Sequence, residues 1–103
     1  MKKITANELM HSLKRNEVCL IDVREADEYK EQHIEHSYLI PLDKIAIETI
    51  PSREKPIVIH CKAGPRSIKA CEILLNQNPS IDVYFLQGGI TAWINAGYPT
   101  KHS

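Results

Sequence analysis

Short, almost unbroken apolar runs constrain this chain more than any other feature. Val18-Cys19-Leu20-Ile21-Asp22-Val23, Ile57-Val58-Ile59-His60 and Val83-Tyr84-Phe85-Leu86 do not alternate with polar residues. A strand that reads this way is covered on both faces, as in a parallel sheet sandwiched between helices. Ser37-Tyr38-Leu39-Ile40 is a further short strand, stopped by Pro41, which has no N–H for the ladder. Helical patterns fill the gaps. Thr5-Ala6-Asn7-Glu8 has the form of a capping box, and Leu9, Met10 and Leu13 give the helix after it an apolar face that ends near Asn16. Glu25 to Gln32 reads as a short polar helix, Leu42 to Ile50 as an irregular one, and Ser67 to Asn76 as an amphipathic one. Gly88-Gly89 turns the chain into a last short helix, Ile90 to Ile94, closed by Gly97 and Pro99. Strands alternating with helices predict an α/β fold built on a mainly parallel sheet.

At 103 residues the chain makes one domain, residues 1–103, able to bury roughly two-thirds of its unfolded surface. Thirteen basic and thirteen acidic residues cancel, so no global field recruits nucleic acid or an anionic membrane, and anion binding has to be local. No apolar run approaches a membrane span, and Met1-Lys2-Lys3-Ile4 is followed by no signal-type apolar stretch. Three cysteines, an odd number without a CxxC pair, fit reduced thiols and a cytoplasmic location.

The run Ile57–His60 leads into the residue of greatest chemical interest. In Val58-Ile59-His60-Cys61-Lys62-Ala63-Gly64-Pro65-Arg66-Ser67 a strand delivers a cysteine into a turn that opens a helix. That order aims loop amides and the positive end of a helix dipole at one point, where a thiol becomes partly ionised and nucleophilic. Arg66 offers a fixed fork of donors for an anionic substrate. Lys62 points either into the mouth or to solvent. Ser67 caps the helix, donates to the sulfur, or does both. Ala63 and Gly64 shape the turn, and Pro65 stiffens it while withdrawing one possible donor.

Cys19, inside a strand, and Cys71, on an apolar helix face, read as small core hydrophobes. Asp22 is anomalous in a buried strand and needs a partner, either Arg24 or a loop amide. The pair Asp22 and Arg24 reads as support for the site rather than as a general acid. His60 either packs on the sheet or tunes the neighbouring thiol. His33 and His36 lie close together, but no cysteine or carboxylate stands at a zinc spacing from them, and no metal is expected.

With these residues in place, the chain resembles the single-domain rhodaneses, or thiosulfate sulfurtransferases, from Ile4 to Pro99. Three ordered blocks carry the resemblance: Leu20-Ile21-Asp22-Val23-Arg24-Glu25 with Glu28-Tyr29; Cys61 through Ser67; and Val83 through Trp93 with Ala96-Gly97-Tyr98-Pro99. It implies a central, mainly parallel five-stranded sheet with helices on both faces, of which the apolar pattern locates four strands. It also implies a ping-pong sulfur transfer without a cofactor. Cys61 takes the sulfane sulfur of a small sulfur-containing anion such as thiosulfate, or of a persulfide, including one carried by a protein. It then hands that sulfur to cyanide or a thiol. Inward-facing amides hold the persulfide. The protein is expected to act as a monomer or weak dimer. Two departures lie away from the active loop: Gln32-His33-Ile34-Glu35-His36-Ser37 stands where the family often has Gly-His-Ile-x-Gly-Ala, so Gln32 and His36 replace usual glycines, which bears on the local backbone path and on a partner surface.

Two rivals stand beside this reading. Cysteine phosphatases and arsenate reductases of a related fold place five residues between cysteine and arginine, around a tetrahedral oxyanion. Here four intervene, Lys62, Ala63, Gly64 and Pro65, a ring better suited to one sulfur atom. A non-catalytic rhodanese-like binding domain commonly lacks the cysteine or degrades the loop, and both are intact here.

Overall fold

The computed structural model describes residues 1–103. The chain runs β1 (Lys2–Ile4), α1 (Ala6–Lys14), β2 (Cys19–Asp22), α2 (Ala26–Glu31), β3 (Tyr38–Leu39), two 3₁₀ turns (Leu42–Lys44 and Ile47–Thr49), β4 (Ile57–His60), α3 (Pro65–Gln77), β5 (Val83–Leu86) and α4 (Gly89–Asn95). The five strands form one sheet in the order β1-β5-β4-β2-β3. Every pairing is parallel.

Four strands lie where the apolar runs predict them. The fifth, β1, pairs Lys2, Lys3 and Ile4 with Tyr84, Phe85 and Leu86. Two lysines hide it from a hydrophobicity pattern, and they suit an exposed edge that must not recruit another chain. The irregular segment after Pro41 is not one helix but two 3₁₀ turns, its isoleucines too unevenly spaced for a continuous apolar face. The capping box of α1 forms as expected: the Glu8 amide donates to the Thr5 hydroxyl at 3.2 Å, and the Thr5 amide to the Glu8 carboxylate at 2.9 Å.

Strand alternation divides the core in two. Cys19, Ile21, Val23, Ile57, Ile59 and Cys61 face one side, with Ala70, Cys71 and Leu74 of α3 and with Ile45 and Ile50. Leu20, Val58 and Leu86 face the other, against Leu9 of α1 and Ile90 and Trp93 of α4. Helices therefore cover both faces. Fully burying a residue such as Ile59 or Leu20 contributes about 1.5–3 kcal/mol, and both lie at 1% exposure or less.

From β2 the chain moves outward to β3, and from β4 it moves the opposite way to β5. Open α/β sheets bind ligands at the carboxyl ends of strands whose connections diverge in this way. Cys61 follows β4 at that divergence, and Asp22 pairs in register with His60 on the strand alongside.

Candidate active site

Cys61 sits at 1% exposure at the end of β4, on the α3 side of the sheet. The Gly64 amide donates to its sulfur at 3.1 Å, and the Ser67 hydroxyl oxygen lies 3.7 Å from it. Gly64 has φ +140° and ψ −40°, a backbone that an L side chain rarely adopts. A Cβ there would meet nothing within 4 Å, so the turn requires glycine for its backbone and not for space. That conformation bends the amide back onto the sulfur.

The helix begins two residues earlier than its apolar pattern suggests. Pro65 is its first residue and Gly64 its N-cap. Proline loses nothing at that position, because a first-turn N–H has no helical partner. Ser67 consequently does not cap the helix from outside; its hydroxyl donates to the Gly64 carbonyl at 2.8 Å and presents its oxygen to the thiol. The amides of Lys62, Ala63, Arg66 and Ser67 donate to no other group of the protein. Together with Gly64 they make five amides within or beside the turn, one committed to sulfur and four open.

The carbonyls of the turn are fastened from the other direction. Ile90 donates its amide to the Cys61 carbonyl at 2.9 Å, and Thr91 to the Lys62 carbonyl at 3.1 Å. Gly89 makes this approach possible: a Cβ on it would lie 2.5 Å from each of those two oxygens. The Gly88-Gly89 pair, legible in the sequence only as a turn, thus grips the cysteine loop through the first amides of α4.

Arg66 is placed beside the loop, but its fork is not empty. Its Nη1 and Nη2 donate to the two carboxylate oxygens of Glu28 on α2, at 2.7 and 3.0 Å. Hydrogen bonding from Arg66, more than any other influence, pulls the Glu28 carboxyl down to about 2, and the same bond raises Arg66 above its ordinary value. Glu28 is the site residue that sequence reasoning left unassigned; its signal was its place in the first resemblance block. Lys62 is solvent-exposed and takes part in no ion pair.

Asp22 finds both kinds of partner expected of it, and both come from Arg24. The Arg24 Nε and Nη2 reach its carboxylate at 3.0 and 2.8 Å, and the Arg24 amide adds a third bond at 3.0 Å. Arg24 also donates to the Gln32 carbonyl at 2.7 Å, which ties the pair to the C-terminus of α2, the helix that bears Glu28. His60 faces this cluster, on the side of the sheet opposite Cys61. Its Nε2 lies 3.6 Å from the Asp22 carboxylate, and its Nδ1 lies 3.4 Å from the Cys61 carbonyl. Burial pushes its pKa down, so it is neutral and has a single N–H between two acceptors. One ring nitrogen is left over, and Nε2 has no hydrogen-bond partner. His60 therefore packs within the sheet and does not touch the sulfur.

Cys19 and Cys71 are buried in the core on the α3 side. Burial raises both thiols, that of Cys71 to about 12, which leaves Cys61 as the thiol set among open amides. His33 stacks on the Tyr29 ring with centroids 3.9 Å apart. His36 adopts φ +71°, a left-handed backbone that glycine takes without strain and histidine takes at some cost. No three His, Cys, Asp or Glu side chains converge as a metal site. No helix is long and apolar enough to cross a membrane. The five clefts of the surface lie elsewhere, and none is lined by residues 61–67. Cys61 instead lies under a turn whose outer residues, Lys62, Ala63 and Pro65, are exposed.

Comparison with known proteins gives the family. A Synechocystis protein is 33% identical over 98 residues, which are 94% of this chain and 54% of that one. A thiosulfate sulfurtransferase GlpE from Coxiella burnetii is 30% identical over 101 residues, 97% of this chain and 92% of the relative. The crystal structure of a rhodanese-related protein from Thermoplasma volcanium superposes with a TM-score of 0.86 at 29% identity, over 100% of both chains. A possible tyrosine phosphatase from Rhodopseudomonas palustris, 23% identical with a TM-score of 0.79 over 98% of this chain and 85% of that one, shares the fold alone. The model of the rhodanese-like domain matches residues 5–96, and the chain, with its parallel sheet and its Cys61 turn, belongs to that family.

Proposed function

We propose that the protein is a sulfurtransferase working through a Cys61 persulfide. The Cys61 thiolate attacks the sulfane sulfur of thiosulfate or of another persulfide donor. The sulfur–sulfur bond of the donor breaks, and its remainder leaves with the electron pair as sulfite or a thiolate. Cyanide or a thiol then attacks the outer sulfur, and Cys61 leaves as the thiolate. The observation that carries this reading is the Gly64 amide 3.1 Å from the sulfur inside a turn with four further open amides. Such a cradle stabilises negative charge on sulfur before and after loading, and it needs no cofactor.

The four-residue interval between Cys61 and Arg66 favours this over phosphatase or arsenate chemistry, as does the engagement of both terminal nitrogens of Arg66 by Glu28. The intact cysteine and loop favour catalysis over a purely binding role. The partners are a small sulfur-containing anion or a persulfide, including one carried by a protein, as donor and a thiol or cyanide as acceptor, met by a monomer or weak dimer. Three free cysteines suit a reducing compartment such as the cytoplasm.

Intact mass tests the reading. Thiosulfate or a persulfide should add the mass of one sulfur at Cys61, and cyanide should remove it with release of thiocyanate. Cys61→Ser should not load. Loading of Cys61→Ser at the wild-type rate refutes the assignment, and turnover of phosphate-ester analogues would favour the phosphatase reading instead.

A further inference from the structure

The charges around the cysteine turn bear on which donor the site accepts, given the sulfurtransferase reading. Arg66 and Lys62 are its two cations. Both terminal nitrogens of Arg66 are held by Glu28, whose carboxyl stays ionised at every working pH because Arg66 holds it down at about 2. Lys62 alone carries a charge bound to nothing. Arg66 directly precedes Ser67, whose hydroxyl oxygen lies 3.7 Å from the Cys61 sulfur. Once Cys61 ionises, the charges at the turn sum to zero: Lys62 and Arg66 against Glu28 and the thiolate.

The two donor classes place very different demands on such a mouth. Thiosulfate is a dianion. When the thiolate attacks its outer sulfur, the S–S bond breaks, sulfite departs with the pair, and three negative charges gather in the transition state. A hydropersulfide, R–S–SH, is neutral at the sulfur under attack. The thiolate forms a bond to the outer sulfur, the R–S bond to that sulfur breaks, and R–S⁻ leaves with the pair. The proton stays on the transferred sulfur until solvent takes it. One negative charge is present throughout, or two where the donor is the persulfide anion R–S–S⁻, against three for thiosulfate. Coulomb repulsion between like charges a few ångströms apart is weakened but not abolished by water. The neutralised mouth therefore matches the second reaction.

We propose that Glu28, by occupying the Arg66 fork, is a specificity-determining residue that directs the site to low-charge hydropersulfide donors and away from thiosulfate. Glu28 touches no reacting atom in this role; it acts by cancelling the charge of Arg66.

The test measures second-order loading of Cys61 by intact mass, with cysteine hydropersulfide and thiosulfate as donors. Wild type should load faster from the hydropersulfide. Glu28→Gln should raise the thiosulfate-to-hydropersulfide ratio of rate constants about tenfold, as one unit charge near a dianion does in a water-facing site. Glu28→Gln/Arg66→Gln restores the wild-type net charge and should bring the ratio back, whereas a merely loosened turn would leave it displaced. A folded Glu28→Gln with an unchanged ratio overturns the proposal. Should that variant not fold, wild type decides. Its thiosulfate rate should stay flat or rise between roughly 0.02 and 0.5 M salt, and a several-fold fall would reveal an open cationic fork and overturn the proposal. A wild-type protein that loads from neither donor refutes the sulfurtransferase reading itself, a different result from loading with an unmoved ratio.

Discussion

Replacing Gly89 with alanine asks whether the shape of the cysteine turn is imposed from outside it. Gly89 has φ +60°, and an added Cβ would lie 2.5 Å from the carbonyl oxygens of Cys61 and Lys62 and 2.6 Å from the Lys62 carbonyl carbon. These are backbone atoms, so no side chain can swing aside. The left-handed backbone costs alanine about 1 kcal/mol. The clash has two outcomes. Either the loop and α4 stay in place under an overpacking strain of about 1–3 kcal/mol, or they part. Parting breaks the bonds from Ile90 and Thr91 at 2.9 and 3.1 Å, worth about 1 kcal/mol each. Either way the variant should lose about 2–4 kcal/mol, which lowers Tm by roughly 10–25 °C in a domain of this size. Gly97→Ala is the control. It sits at φ +85° with nothing within 4 Å of its Cβ, so it should lose only the backbone share, about 1 kcal/mol. Urea unfolding of both variants, with the rate of Cys61 sulfur loading, checks the reasoning. Equal destabilisation by the two substitutions, or an unslowed loading rate in a destabilised Gly89→Ala, would show that α4 does not shape the turn.

Three further outcomes are expected. Gly64→Ala meets no atom but must hold φ +140°, so it should lose about 1–3 kcal/mol in urea and slow loading by withdrawing the amide from the sulfur; normal loading refutes the role of that amide. Asp22→Asn leaves the buried Arg24 charge without its carboxylate and should destabilise by about 3–5 kcal/mol; a loss below about 1 kcal/mol in urea would mean the pair is dispensable. The Glu28 carboxyl is depressed from 4.5 to about 2, so its contribution is complete above the unfolded value and is lost as pH falls through that window. The pair is about one-third exposed, which screens the effect to about 1 kcal/mol. Glu28→Gln should flatten that part of the acid unfolding profile, and an unchanged profile would show that the ion pair adds nothing to stability.

The fold was legible where neighbouring residues speak for themselves. Apolar runs at 18–23, 57–60 and 83–86 mark strands because burial on both faces leaves no polar position. The capping box at Thr5 and Glu8 is likewise local. The Cys61 turn was legible for the same reason, since strand end, glycine, proline and helix start follow within a few residues. β1 escaped because an edge strand of Lys2, Lys3 and Ile4 takes its conformation from hydrogen bonds to β5, not from its own side chains. The start of α3 at Pro65 rather than Ser67 depended on Gly64 adopting a backbone that no hydrophobic periodicity reports.

Which thiol sits at the turn was therefore written into the chain, because a strand–turn–helix junction arises from adjacent residues. How that thiol is held, and what it is offered, was decided by contacts between distant segments. Glu28 reaches Arg66 across 38 positions, and the amides of Ile90 and Thr91 meet the carbonyls of Cys61 and Lys62 only after β5 has placed α4 beside β4. Neither partner leaves a periodic trace in the sequence, since each is chosen by the packing of whole elements on a parallel sheet. The charge left in the mouth depends on that packing, and so does the rigidity of the turn around Cys61.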